Sequence, residues 1–174
     1  MVQKDSTKLV ESIVDLLESR LCNRLSQLQP RPLGLATGRT MQPIYTELVS
    51  RLQSWPKNKL QNLLESWCSF NLDEYVGLLD SSPDSFSSFM ARYLGDPLHL
   101  TSDQLRVPDG SSKDPHQEAA SYVQQLRELG GLGVQLLGLG ANGHVGFNEP
   151  PCGPHVSCRV VSLSLSTRQQ NAFS

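Results

Sequence analysis

Short apolar segments alternate with helical patterns along this chain, and this alternation restricts its fold more than any other feature. Buried strands are predicted over 33–36, 67–72 and 134–139, with a weaker alternating pattern over 159–165. Helical periodicity covers 6–28, 41–53, 84–93 and 116–129, whereas 95–115 is rich in Pro, Gly, Asp and Ser and is predicted to be loop. This order predicts a doubly wound, Rossmann-like α/β fold, with a mostly parallel sheet and helices on both faces.

The charge balance and the cysteine spacing exclude several classes of function. The chain has 174 residues with 17 acidic and 15 basic side chains, so it lacks the basic surface that nucleic acids require. No window is apolar enough for a membrane span, and the first residues resemble neither a signal nor a transit peptide. The four cysteines match no zinc pattern. We therefore expect a cytoplasmic protein with no bound metal and no nucleic-acid or membrane partner.

Polar residues follow three of the predicted strands, at the point where each strand ends. They lie at 37–40, 73–74 and 142–144. The carboxyl ends of parallel strands meet at the same edge of a sheet, and ligands of α/β proteins bind at that edge. We therefore expect these three segments to contribute to one shared site, although they are far apart in sequence.

The glycines at 138, 140 and 143 have the spacing of a dinucleotide-binding fingerprint, but their context excludes that function. The third glycine of the fingerprint should open an amphipathic helix, whereas here it precedes His-Val-Gly-Phe-Asn-Glu-Pro-Pro. No acid at the end of a following strand is available for a ribose, and no GxxxxGK[ST] motif is present. The sequence therefore predicts no nucleotide cofactor.

The turn between the first predicted strand and the next helix has the groups that bind phosphate. It consists of Thr37, Gly38, Arg39 and Thr40. Free amides at a helix N-terminus, hydroxyl donors and a guanidinium suit a phosphate monoester. A plain strand-to-helix turn in which Thr40 caps the helix explains the same residues and is commoner. The local pattern leaves both interpretations open.

Two acid–base candidates follow the other strands. Asp73 and Glu74 end an apolar run, where a carboxylate can move a proton between adjacent carbons of a sugar, although solvated turn acids explain them equally well. His144 lies five residues before Glu149 in a glycine-rich loop. A carboxylate beside an imidazole raises its basicity and fixes its tautomer. This pair is therefore a stronger candidate than a lone histidine.

Four motifs together resemble the glucosamine-6-phosphate deaminase (isomerase) family. They are Leu-Ala-Thr-Gly at 35–38, Phe-Asn-Leu-Asp-Glu-Tyr-Val-Gly-Leu at 70–78, Val-Pro-Asp-Gly at 107–110 and the glycine-rich run at 138–150. Their order and separations are similar to those of the family, and the resemblance covers roughly residues 8–172. It implies conversion of glucosamine 6-phosphate and water to fructose 6-phosphate and ammonia, a reaction of amino-sugar catabolism, with no metal or organic cofactor.

The resemblance also implies a role for each site residue. His144 would assist opening of the pyranose ring, and Asn142 and Glu149 would orient it. Asp73 would then take the C2 proton and return one to C1. The residues implied to hold the phosphate are Thr37, Gly38, Arg39 and Thr40. The implied partner is a small sugar phosphate, and a homo-oligomer is compatible with the family.

The chains of this family normally continue well beyond position 174, with further strands, further helices and a phosphate-binding lysine. We therefore expect residues 1–174 to form one α/β domain that lacks the C-terminal portion of the family fold, with weak or no activity on its own. Two other functions remain open. One is hydrolysis of a sugar-phosphate lactone, as in the related 6-phosphogluconolactonases, and the other is non-catalytic binding of a sugar phosphate.

Overall fold

The structure, a computed structural model, describes residues 5–140, 142–153, 155–165 and 167–168. Within them the helices are α1 (Ser6–Arg24), α2 (Met41–Gln53), α3 (Lys57–Glu65), α4 (Phe86–Met90), α5 (Asp96–Leu98) and α6 (Pro115–Glu128), with a π-helical turn at Ala91–Gly95. The strands are β1 (Leu33–Leu35), β2 (Ser69–Asn71), β3 (Leu105–Arg106) and β4 (Val134–Gln135). They form a parallel sheet in the order β3-β2-β1-β4. The predicted α/β architecture with a parallel sheet is confirmed.

β1 is an inner strand of the sheet and pairs with β2 on one side and with β4 on the other. Leu33 aligns with Ser69 of β2 and with Val134 of β4. The pairing continues past the strands, since the Leu72 N–H donates to the Leu35 carbonyl at 3.1 Å and the Leu136 N–H donates to the Gly34 carbonyl at 2.9 Å. The carboxyl ends of β1, β2 and β4 are therefore held side by side.

Helices cover both faces of this sheet, as predicted. Leu33 and Leu35 of β1 belong to a buried cluster that includes Val14 of α1 and Tyr45 of α2. Neighbouring strand residues point to opposite faces. On the opposite face, the Phe70 ring packs edge-on against Tyr122 of α6 with 5.1 Å between the ring centroids. The Tyr122 hydroxyl also lies 3.0 Å from the carbonyl of Asn71 and 2.9 Å from that of Arg106, and so ties α6 to β2 and β3.

α1 ends earlier than its periodicity predicts. The Asp5 side chain accepts a hydrogen bond from the Thr7 N–H at 2.9 Å and caps the start of the helix. The helix ends at Arg24 instead of 28, and Leu28 is 102% exposed. The side chain of Arg24 turns inward, where Nη2 donates to the Ser66 carbonyl at 2.8 Å and Nη1 donates to the Arg31 carbonyl. The helix end is thus fixed by one buried guanidinium.

Two strand predictions, one loop prediction and one missed helix need correction. The strand predicted over 159–165 is wrong, because residues 159–164 make no ladder; Arg159 bonds to Asn148 and the Ser164 N–H bonds to Glu149 instead. β4 is shorter than the predicted 134–139. The stretch 95–115, predicted to be loop, contains α5 and β3. α3 was not predicted at all. None of the described helices is both long and apolar enough to cross a membrane.

We predict that replacing Arg24 with Met destabilises the fold by about 2 kcal/mol, because two part-buried carbonyls lose their donor. Removing a charge whose pKa is lowered by burial offsets part of that loss. The matched control is Arg20→Met, which removes an exposed guanidinium from the same helix and should change stability by less than about 0.5 kcal/mol. Urea unfolding of both variants makes the comparison, and equal midpoints would contradict the structural role of Arg24.

Candidate functional site

The turn after β1 is fixed from beneath by Tyr45 of α2. This fully buried side chain donates its hydroxyl to the Ala36 carbonyl at 2.5 Å and accepts the Ala36 N–H at 3.3 Å. Thr37 and Gly38 are half-buried, Gly38 has φ 109°, and Arg39 and Thr40 are exposed. Thr40 occupies the N-cap position of α2, but its side chain makes no capping hydrogen bond. The simple capping interpretation of this turn therefore lacks its defining contact.

The two adjacent acids after β2 have different environments. Glu74 accepts the N–H groups of Tyr75 at 2.8 Å, Phe86 at 3.1 Å and Ser87 at 3.0 Å. It therefore caps the first turn of α4, and burial raises its pKa despite these three donors. Asp73 takes no part in this cap. Of the two acids, Glu74 therefore makes the structural contacts at α4.

Asp73 lies against the glycine-rich loop that follows β4. A Cβ atom added to Gly146 would stand 2.7 Å from Asp73 Oδ2 and 2.5 Å from Leu72 Cδ2, so only glycine permits this approach of the main chain. Burial, together with the charge of Glu74, raises the pKa of Asp73 to about 7, whereas the N–H of Phe147 lowers it. A carboxyl group with such a pKa both accepts and donates a proton near neutral pH.

His144 is oriented by Asn142. Asn142 Oδ1 lies 2.6 Å from His144 Nδ1 and accepts the backbone N–H of His144 at 3.1 Å. Because the backbone N–H can only donate, the shared atom is an acceptor, and Nδ1 therefore carries the proton. This leaves Nε2 with its lone pair free for chemistry. The ring lies over Gly140, where an added Cβ would stand 2.1 Å from Cε1.

Glu149 makes its hydrogen bonds with Ser164 and Thr167. Its Oε1 accepts the Ser164 N–H at 2.9 Å, and the side chains of Ser164 and Thr167 bond to it as well. These donors lower the pKa of Glu149, the Ser164 N–H most of all, and the charge of His144 contributes least. Among the described residues, the imidazole is hydrogen-bonded to Asn142, not to Glu149. Glu149 instead ties the loop to Ser164 and Thr167.

The three polar segments lie at one edge of the sheet. An added Cβ on Gly138 would lie 3.5 Å from Met41 Cε, so the glycine-rich loop starts beside α2 and then reaches Asp73 through Gly146. A cavity of about 700 Å³ between β2, α6 and the 155–163 segment includes Asp73 in its wall, but it contains neither His144 nor the turn at 37–40. Within the described ranges, no group of three or more His, Cys, Asp or Glu side chains is arranged to hold a metal ion.

Comparison with known proteins gives a consistent set of relatives. The sequence model described as glucosamine-6-phosphate isomerases/6-phosphogluconolactonase matches residues 4–146. Glucosamine-6-phosphate deaminase of Shewanella loihica is 37% identical over 172 residues, which are 99% of this chain and 61% of that protein. The deaminase of Staphylococcus epidermidis is 38% identical over 176 residues, covering 99% of this chain and 68% of that one. The chain thus spans about six tenths of the length of several curated relatives.

Solved structures agree with the sequence comparison. A monomeric glucosamine-6-phosphate deaminase superposes with a TM-score of 0.87 at 31% identity, covering 99% of this chain and 68% of that chain. A 6-phosphogluconolactonase from Plasmodium vivax superposes with a TM-score of 0.66 at 18% identity, covering 84% and 49%. At that identity the second likeness concerns the fold alone.

We predict that Gly140→Ala displaces the His144 ring, because the new methyl group would occupy the position of the imidazole. The imidazole ¹⁵N spectrum should lose the signature of a hydrogen-bonded, protonated Nδ1. Gly138→Ala is the matched control, since its methyl group meets only ordinary contact with Met41. Identical imidazole spectra in the two variants would show that the ring does not lie over Gly140.

We also predict a pH-dependent stability that depends on Asp73. In the unfolded chain this carboxyl ionises near its ordinary value of 3.8, whereas its folded pKa is about 7. The contribution of protonated Asp73 to the free energy of unfolding is therefore fully present below about pH 4 and is lost as the pH rises through 7. Asp73→Asn should be more stable than the unchanged chain at pH 8, by on the order of 2 kcal/mol, and equally stable at pH 4.

Urea unfolding midpoints at the two pH values measure this difference. Asp84→Asn removes an exposed acid of the same type and serves as the control. A gain in stability that is the same at both pH values would show that ionisation of Asp73 is not its source.

Proposed function

The chain belongs to the family of glucosamine-6-phosphate isomerases and 6-phosphogluconolactonases, and we propose that it carries the chemistry of a glucosamine-6-phosphate deaminase. The reaction converts glucosamine 6-phosphate and water to fructose 6-phosphate and ammonia. One observation supports this proposal above the others. A carboxyl group with a pKa near 7, Asp73, lies in contact with the loop that presents an oriented imidazole.

Ring opening is the step proposed for His144. Opening a pyranose requires that a proton leaves the anomeric hydroxyl and that one reaches the ring oxygen. An imidazole whose Nδ1–H is held by Asn142 presents Nε2 as the atom that accepts and returns this proton. Asn142 contributes no charge to the site, and its part is to orient the ring. Glu149 contributes by holding the loop to Ser164 and Thr167.

Proton transfer between carbons is the step proposed for Asp73. As a carboxylate it takes the proton from C2 of the open-chain amino sugar while the C1 carbonyl oxygen gains a proton, which gives the enolamine. As the acid it then returns the proton to C1, which gives the C2 imine of the ketose. Water hydrolyses this imine and releases ammonia. A pKa near the working pH suits a group that must both accept and donate within one turnover.

The phosphate is proposed to bind at the turn after β1. The hydroxyl of Thr40 makes no capping bond, and Arg39 is exposed beside it. Together with Thr37, Gly38 and the first backbone amides of α2, these groups can surround a phosphate monoester. The anion would then lie beside the loop that begins at Gly138.

The remaining assignments are part of the same proposal. We infer that residues 1–174 act as one α/β unit with a sugar phosphate as its small-molecule partner. All four cysteines are free thiols, which is typical of a reducing compartment and supports a cytoplasmic location. The oligomeric state and the lack of nucleic-acid partners stay predictions.

The test is to incubate the purified chain with glucosamine 6-phosphate and to measure ammonia and fructose 6-phosphate together. We predict that Asp73→Asn lowers turnover by about 10²-fold or more, because the amide cannot accept the C2 proton. Asp84→Asn is the control of the same chemical change at an exposed position. Turnover should rise with pH through about 7, as Asp73 ionises.

Other outcomes would replace the proposal. Hydrolysis of 6-phosphogluconolactone without ammonia release would favour the lactonase function. Binding of glucosamine 6-phosphate, measured by calorimetry, without any turnover would favour a non-catalytic binding protein. Undiminished turnover in Asp73→Asn would remove this residue from the mechanism.

A further inference from the structure

Three aromatic rings from separate parts of the chain meet beside Asp73. Tyr75 follows β2, Phe86 opens α4, and Phe147 belongs to the glycine-rich loop. The centroid of the Tyr75 ring lies 5.0 Å from that of Phe86 and 5.0 Å from that of Phe147, and the latter two are 5.8 Å apart. Aromatic pairs at these separations attract one another beyond simple burial. We call these three residues the aromatic trio.

Two members of the aromatic trio are fixed through their main chains. The Glu74 carboxylate accepts the N–H groups of both Tyr75 and Phe86 on Oε1, at 2.8 and 3.1 Å. The cap therefore holds these two rings in place relative to the end of β2. Phe147 docks on this fixed pair and is the member that belongs to the loop carrying His144.

The main chain next to Phe147 contacts Asp73 directly. Gly146 has φ 58°, and an added Cβ there would lie 2.7 Å from Asp73 Oδ2. The backbone N–H of Phe147 approaches the same carboxyl group as a donor. The ring of Phe147 thus packs against Tyr75 and Phe86, while the N–H of the same residue faces the Asp73 carboxyl group.

We propose that Phe147 is a positioning residue for the Asp73 carboxyl group. Its ring, held by Tyr75 and Phe86, keeps the adjoining glycine main chain against that carboxyl group. The contact between the Gly146–Phe147 main chain and Asp73 needs no substrate. Only the proton-transfer role of Asp73 rests on the proposed function. Without this ring, the loop would not hold the Asp73 carboxyl group in one position. The Phe147 N–H would then be a less fixed hydrogen-bond donor to that group.

The titratable groups around Asp73 make the effect measurable. Its charge interacts with Glu74 beside it, with Tyr122 on α6 and with Cys158. The pKa values of Tyr122 and Cys158 are raised above 10.0 and 9.0, so both stay neutral between pH 5 and 8. Burial and Glu74 raise the pKa of Asp73, and the Phe147 N–H opposes them. Loss of this donor therefore moves the titration of Asp73 to higher pH.

The first experiment needs no change at Phe147. In the ¹⁵N-labelled chain, the amide proton of Phe147 should follow a titration with a midpoint near pH 7, because it reports the ionisation of the group it faces. This pH dependence should disappear in Asp73→Asn. A Phe147 amide that does not titrate, or that titrates unchanged in Asp73→Asn, would overturn the proposal.

The second experiment removes the ring. In Phe147→Leu the ¹³C carboxyl signal of Asp73 should reach half-titration at a pH higher by about one unit than in the unchanged chain. The matched control is Phe89→Leu, which takes a ring from a second aromatic group, formed with Tyr45 and Tyr93. Its Asp73 titration should not move. Equal midpoints in both variants, shifted or not, would overturn the role of Phe147.

The two proposals can fail separately, because both titrations are recorded without substrate. If Asp73 titrates as expected while the chain releases no ammonia from glucosamine 6-phosphate, the positioning role stands and the proposed function falls. If ammonia is released while the titrations contradict the contact, the function stands without Phe147. Should Phe147→Leu fail to fold, the amide titration of the unchanged chain decides.

Discussion

β1 has only three residues, yet the placement of every candidate group depends on its pairing. It aligns with β2 and β4 in parallel, and hydrogen bonds from Leu72 and Leu136 continue both alignments past the strands. A slip by one residue would turn the side chains of β1 to the other face. Burial of one face fixes this register, since Leu33 and Leu35 share that face and are 6% and 3% exposed. Because the register is fixed, the ends of three strands remain neighbours.

The contacts that complete the site are made by main chain instead of by long side chains. Gly146 lets the loop touch Asp73, and Gly140 leaves room for the imidazole. A methyl group at Gly146 would collide with Leu72 and Asp73, and one at Gly140 would collide with the His144 ring. Overpacking of this kind destabilises a fold, because the neighbouring atoms must shift. Close packing of this kind holds a side chain in one position without an additional hydrogen bond, and such preorganisation is what acid–base chemistry requires.

Much of this arrangement follows from the sequence, because strand ends and helix starts have clear local signals. The predicted helix over 41–53 has the observed limits, and Asp73 and His144 lie at the expected edge. β3 was missed because a two-residue strand leaves no periodicity, and its pairing with Ser69 and Phe70 is non-local. The expected pairing of His144 with Glu149 rested on sequence proximity, whereas the carboxylate bonds to Ser164 and Thr167, whose position no local pattern reveals.

The adjacent acids Asp73 and Glu74 show how one dipeptide provides two functions. Three backbone N–H groups favour the ionised form of Glu74 against its burial. Burial, together with the charge of Glu74, raises the pKa of Asp73, and the N–H of Phe147 opposes this rise. Environments that treat two neighbouring carboxyl groups so differently are a general means of separating a structural anion from a titrating acid. The cap on α4 is therefore electrostatically part of the site, although Glu74 itself does no chemistry.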